Sequence, residues 1–283
     1  MSDRTDTGAQ ALPLRVLPWP ALTRLRHLFG GRASLHLIER HARAYKHAWL
    51  VLLSGFGEPV FYLLSLGVGL GKLVPPLTGP GGQQVSFAAF VAPALLATSA
   101  MNGAIYDSTF NVFFLLKYAK LYDAVLATPV RATDVALGQI GWALIRSTLY
   151  SAAFITVMLV MGLVQSPWAV LALPAAILTG FAFAAAGMAA STFMRSWQDF
   201  EYVTLVSLPM FLFSTTFYPL SVYPRGLQIV VECTPLYQAV TLLRGLTLGG
   251  VGPALLVPVG YLSVMAVTGL VVAGRRVGRL LLT

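Results

Sequence analysis

The chain has 283 residues, of which 57% are hydrophobic and only 10% charged, against about 25% charged in ordinary soluble domains. So few charges cannot cover a soluble surface of this size, so lipid must be the solvent for much of the chain. The formal charge of +9 would suit nucleic acid, but the basic residues sit in the N-terminal segment, the loops and the C-terminus, not on one face. No nucleic-acid partner is expected. The single cysteine, Cys233, excludes an internal disulfide and a cysteine-rich metal site.

In chain order, residues 1–33 carry Pro13, Pro18, Pro20 and scattered Arg with no long apolar core. They read as a mobile cytoplasmic tail, not a signal peptide. Residues 34–47 read as an amphipathic helix lying at the membrane interface. Leu35, Ile38, Ala42 and Tyr45 share one side at helical spacing, and His36, Glu39, Arg40, Arg43 and Lys46 fill the rest. Ser34 is a plausible N-cap, and Glu39 with Arg43 is a favourable i,i+4 pair.

A transmembrane domain is expected over 48–274, with spans at about 48–71, 86–116, 135–164, 168–194, 202–218 and 253–273. Gly67 and Gly71 make a GxxxG pair, and Ala182, Ala186 and Ala190 a small-residue stripe; both suit close helix packing. Between the fifth and sixth spans, residues 219–250 are apolar but broken by Pro219, Pro224 and Pro235. Two helices, 225–232 and 236–246, are too short to cross a bilayer. They are expected to form an external hairpin that includes Arg244 and dips into the outer leaflet, shielded by protein. Residues 275–283 form a basic C-terminus. The fold class is therefore an all-α integral membrane protein with six transmembrane helices, an interfacial N-terminal helix and a short external hairpin before the last span.

Orientation follows from the basic residues. The first 47 residues, the second-to-third loop, the fourth-to-fifth loop and the C-terminus together hold fifteen, against Lys72, Arg225 and Arg244 on the other side. Both termini are expected to be cytoplasmic.

No nucleotide-binding motif is found. Gly71-Lys72 has Leu66 where a P-loop needs Gly and Leu73 where it needs Ser or Thr. The four His residues, 27, 36, 41 and 47, lack zinc-ligand spacing. With no metal cluster and no nucleophile–base pair, an intramembrane enzyme such as an acyltransferase has no support, and no catalytic residue is assigned.

Three ionisable residues fall inside apolar spans: Glu58, Asp107 and Arg146. Intramembrane charge is costly and usually faces a bundle interior, paired or hydrated. At ~1.5 Å per residue all three lie about 15–18 Å from the inner surface, a shared depth that allows pairing. A structural ion-pair cluster is the favoured reading. The alternative is a secondary transporter that uses Glu58 and Asp107 for proton coupling.

The run Asp123-Ala-Val-Leu-Ala-Thr-Pro129, followed by Asp134-Val and Gly138, resembles the cytoplasmic loop of ABC type 2 transporter permeases. So does Phe211 to Pro224, continued by Thr234-Pro-Leu-Tyr237 and Leu243-Arg244. The likeness covers about 35–275 and is greatest to permeases of nodulation-factor and daunorubicin exporters. It implies two paired permease copies above two separate ATPase subunits, an N-terminal interfacial helix touching the ATPase, and a coupling helix in the second-to-third loop. It also implies an amphipathic cargo (a drug, glycolipid or lipo-oligosaccharide), export across a bacterial inner membrane, and ATP with magnesium bound on the partner, leaving no cofactor on this chain. The coupling segment maps to Leu121, Tyr122, Asp123, Val125, Leu126 and Thr128, with Pro129 as its stop.

The expected topology is open to single-cysteine labelling in intact cells on a Cys233→Ser background. A cysteine at Gln83 should react with an impermeant reagent and one at Ser34 should not; the reverse pattern contradicts the orientation.

Overall fold

A computed structural model describes residues 39, 57–111, 113 and 132–282. Helix α1 runs over 57–62, continues through a π-helical stretch, Leu63–Gly69, and ends in a 3-10 turn, Leu70–Lys72. A two-residue hairpin follows, with β1 (Leu77–Thr78) antiparallel to β2 (Gln84–Val85). Helix α2 (Phe87–Tyr106) is capped by the Ser86 hydroxyl, which accepts from Ala89 N–H, and runs into a π turn, Asp107–Asn111.

Helix α3 spans Ala132–Val160 and α4 spans Ala172–Ser191, entered through a 3-10 turn at Pro167–Leu171. Helix α5 is Phe200–Phe213. Two shorter helices, α6 (Arg225–Glu232) and α7 (Pro235–Leu248), precede the last helix, α8 (Leu256–Leu282).

Among the described residues, four segments are long and apolar enough to cross a membrane: Phe87–Phe110, Gly138–Val160, Pro167–Ser191 and Pro253–Arg276. The other two expected spans differ. Part of the first lies outside the described residues. The fifth, expected over 202–218, is a helix of 14 residues, about 21 Å at 1.5 Å per residue and short of a ~30 Å hydrocarbon core. It stops at Phe213, where the following hydroxyls take over one of its last carbonyls: Ser214 and Thr216 both donate to Phe211 O. The last helix differs the other way. It runs past residue 274 through Arg275 and Arg276 to Leu282, since no proline or cap interrupts it.

Helix α4 packs against α2, α3 and α8, and small residues set its distances. A Cβ on Gly180 would lie 2.5 Å from Ser147 Oγ of α3. One on Gly269 of α8 would lie 2.7 Å from the backbone of Ala185. Lipid tails are as apolar as leucine, so helices in a membrane hold together by such close approach more than by hydrophobic exclusion. Of the expected alanine stripe, Ala182 is buried and Ala186 joins Ala185 in the tight contact with Gly269, while Ala190 is exposed. Of the GxxxG pair, Gly67 faces Ala88, while a Cβ on Gly71 would meet open space.

Helix α7 is buried along most of its length and packs on α2 and α8. Its C-terminal carbonyls find partners in two loops. Gln165 N–H donates to Thr247 O at 3.0 Å, and the Gln83 side chain donates to Leu248 O. Gly249 ends it in the left-handed conformation at φ +96°. The β1–β2 hairpin, the turn at 163–167 and the end of α7 thus share one end of the bundle. At the other end, Arg276 of α8 lies over the Phe193 ring, 3.6 Å from its centroid, beside the loop that carries Arg195.

Candidate functional site

Among the described residues, two charged centres lie inside this apolar bundle. The first joins α2 to α3. Arg146 Nη1 donates to Asp107 Oδ1 at 2.7 Å, and Nη2 donates to Tyr150 Oη at 3.0 Å. The side chains of Arg146 and Asp107 are 11% and 4% exposed. Tyr150, one helical turn beyond Arg146, completes the site by ordinary i,i+4 geometry; that spacing is the signal by which it was readable. Asp107 opens the π turn, where the wider coil turns Ser108 and Thr109 inward as well. Glu58, the third member of the expected cluster, is exposed and takes no part in this bridge. The structure therefore brings together two of the three residues. Asp107 has its charge engaged by Arg146 and Glu58 stands apart, so the two carboxylates do not form one proton-carrying site.

The second centre was not evident from sequence. Arg244, grouped above with the external hairpin and counted as an outside charge, is buried at 8% exposure. Its Nε donates to Phe90 O at 3.2 Å, Nη2 to Thr215 O at 2.8 Å, and Nη1 approaches Thr215 Oγ1 at 3.4 Å. The guanidinium carbon sits 3.8 Å from the centroid of the Phe90 ring. Carbonyl dipoles and an aromatic face thus stand in for a carboxylate. The hairpin prolines act as helix starters: Pro219 precedes the turn Leu220–Val222, Pro224 precedes α6, and Pro235 opens α7 behind the Thr234 cap.

An aromatic cluster ties the end of α2 to the start of α5. Phe110 stacks on Tyr106 and on Phe200, with centroids 4.7 and 4.1 Å apart. Phe113 and Trp197 meet Phe200 edge-on at 5.1 and 5.2 Å. In the intervening loop, backbone N–H groups of Arg195 and then Ser196 donate to Asp199 and hold its carboxyl below the usual carboxylate range. The coupling residues Leu121, Tyr122, Asp123, Val125, Leu126 and Thr128 lie outside the described residues, as do Leu35, Ile38, Ala42 and Tyr45 of the interfacial helix.

A family model described as ABC-2 type transporter matches residues 33–248, the stretch that carries both polar centres and α7. The chain belongs to the ABC-2 type transporter family. It is a membrane permease and a transport subunit, not a catalytic one. Nodulation protein J of Rhizobium leguminosarum bv. trifolii is 32% identical over 240 residues, 84% of each chain. Nodulation protein J of Rhizobium meliloti strain 1021 is 29% identical over 84% of each chain, and that of Bradyrhizobium diazoefficiens is 27% identical over 93% of each. The family match takes in the segments at 34–47 and 117–131.

In this permease, removing one partner of the buried pair should be costly while removing both is milder. Arg146→Ala should lower stability by about 3–5 kcal/mol, read as reduced folded yield and a lower thermal midpoint. Adding Asp107→Asn should recover part of that loss; no recovery in the double variant would show that the two side chains do not depend on each other.

Proposed function

We propose that this chain is one permease half of an ATP-driven exporter. It works as a homodimer in a bacterial inner membrane, with both termini cytoplasmic, above two separate ATPase subunits that carry the ATP and magnesium. Its cargo is amphipathic, with a lipo-oligosaccharide the first candidate because the relatives are named for nodulation. The observation that carries this reading is the family match over 33–248 on a bundle whose sequence holds no nucleotide-binding motif.

The geometry supports it in three ways. The internal charge of Arg146 is paired with Asp107 and that of Arg244 is hydrogen-bonded by carbonyls, as befits a scaffold and not a proton carrier. The connecting segments divide between two ends of the bundle, with Arg195, Arg275 and Arg276 at one of them, in keeping with a positive cytoplasmic face. Helix α5 is apolar and has Phe200 as its one buried residue, leaving Tyr202, Leu205, Val206, Leu208 and Leu212 for lipid, cargo or the second copy.

Force from the ATPase enters through 121–128. Leu121, Val125 and Thr128 share one side at helical spacing, with Tyr122 and Leu126 adjacent and Asp123 at the start of the motif. The interfacial helix at Leu35 to Tyr45 flanks the same partner. Replacing Leu121 and Leu126 together by Asp should leave expression and membrane insertion intact while the ATPase no longer co-purifies and export is lost. Full export with the ATPase still bound would place the coupling elsewhere.

A further inference from the structure

Helix α5 has little lateral packing, yet both of its ends are fixed. Phe200 anchors the first end in the aromatic cluster. The second end is held by one residue in an unusual conformation. Thr215 has φ +60°, and among the described residues no other non-glycine residue has positive φ. For a β-branched side chain that is a genuine outlier, and such a conformation persists only where the surroundings over-determine it. Here they do. Thr215 is 2% exposed, its carbonyl accepts from Arg244 Nη2 at 2.8 Å, and its neighbours Ser214 and Thr216 share a 2.8 Å hydrogen bond. Arg244 in turn is fixed on α2 by the Phe90 carbonyl and ring. Among the described residues no carboxylate pairs with it, so the bonds to Thr215 and Phe90 are what satisfy its buried charge.

We propose that Thr215 and Arg244 form a strained latch that docks the C-terminal end of α5 onto α2 and α7, and that its release moves α5 during transport. A left-handed threonine is a state that relaxes once its tether is let go, and relaxation to negative φ redirects the chain leaving α5. The guanidinium fork is suited to the tether because it spans the Thr215 carbonyl and hydroxyl at once while its Nε reaches Phe90; a lysine cannot make all three contacts. Arg244 is thus a positioning residue that acts through Thr215. The step from latch to cargo movement rests on the transport reading above; the latch itself does not.

The test uses the full chain in lipid nanodiscs, with spin labels on native Cys233, which is exposed, and on a cysteine introduced by Leu212→Cys. Excess unlabelled chain restricts the measurement to distances within one copy. The parent should give one narrow distance distribution, and Arg244→Lys should add a second population. Thr215→Gly gives up the long 3.4 Å hydroxyl contact but keeps the 2.8 Å bond to the carbonyl and removes the conformational conflict, so it should hold the latch closed, giving a narrow distribution and a higher thermal midpoint. In vesicles, Arg244→Lys and Thr215→Gly should each lower transport per ATP hydrolysed several-fold, one by loosening the latch and the other by failing to release it. An unchanged distribution in Arg244→Lys overturns the latch. So does a Thr215→Gly variant that gains thermal stability at an unaltered transport-to-hydrolysis ratio, because the strain is then structural only. If Arg244→Lys does not fold, Thr215→Gly decides alone. The distance readout needs neither ATPase nor cargo, so it fails independently of the exporter reading.

Discussion

The bundle depends on how closely other helices can approach α4. In lipid there is no water to drive leucines together, so contact distance does the work. Three glycines supply it. Gly180 lies under Ser147 of α3, Gly187 lies under Ser108 of the π turn, and Gly269 of α8 rests on the backbone of Ala185 and Ala186. A side chain at Gly269 would press on backbone atoms that cannot rotate away. The same closeness presses Ser147, Ser108 and Thr109 into the interior, each nearly fully buried. Small residues and small hydroxyls thus occur together because both are what fits.

Once α4 has set these distances, the two cations follow the rule for charge in a dry interior: each must be met by donors' natural complements. Arg146 meets a carboxylate and a phenol; Arg244 meets two carbonyls and a ring. The difference matters for motion. An ion pair between α2 and α3 fastens two long, well-packed helices, whereas Arg244 fastens the loosely packed α5 through a backbone carbonyl. The first is a scaffold bond and the second lies where the structure has least other support.

Much of this was legible in the sequence, and the misses have physical causes. Long apolar runs pointed to spans at about 86–116, 135–164, 168–194 and 253–273, and the structure has them at 87–110, 138–160, 167–191 and 253–276, because bilayer thickness imposes a minimum length. Counting residues from the polar loops placed Asp107 and Arg146 at one depth, which is why their pairing could be anticipated. Depth does not fix rotation about the helix axis, and Glu58 faces elsewhere. The end of α5 at Phe213 was hidden because Ser214, Thr215 and Thr216 interrupt an apolar run only briefly. The partner of Arg244 was hidden because Thr215 is 29 residues away and meets it only through tertiary packing. Arg275 and Arg276 resembled a tail because charge was read as a boundary, yet nothing in the backbone chemistry there ends a helix.

For function, the family assignment makes the chain a membrane transport subunit, and the exporter proposal adds that its energy comes from a separate ATPase. The most direct measurement is uptake of a labelled lipo-oligosaccharide into inside-out vesicles of the native membrane, prepared with and without this chain. The account predicts chain-dependent accumulation that requires ATP hydrolysis and survives an uncoupler. Chain-dependent accumulation driven by a proton gradient in the absence of ATP would contradict it.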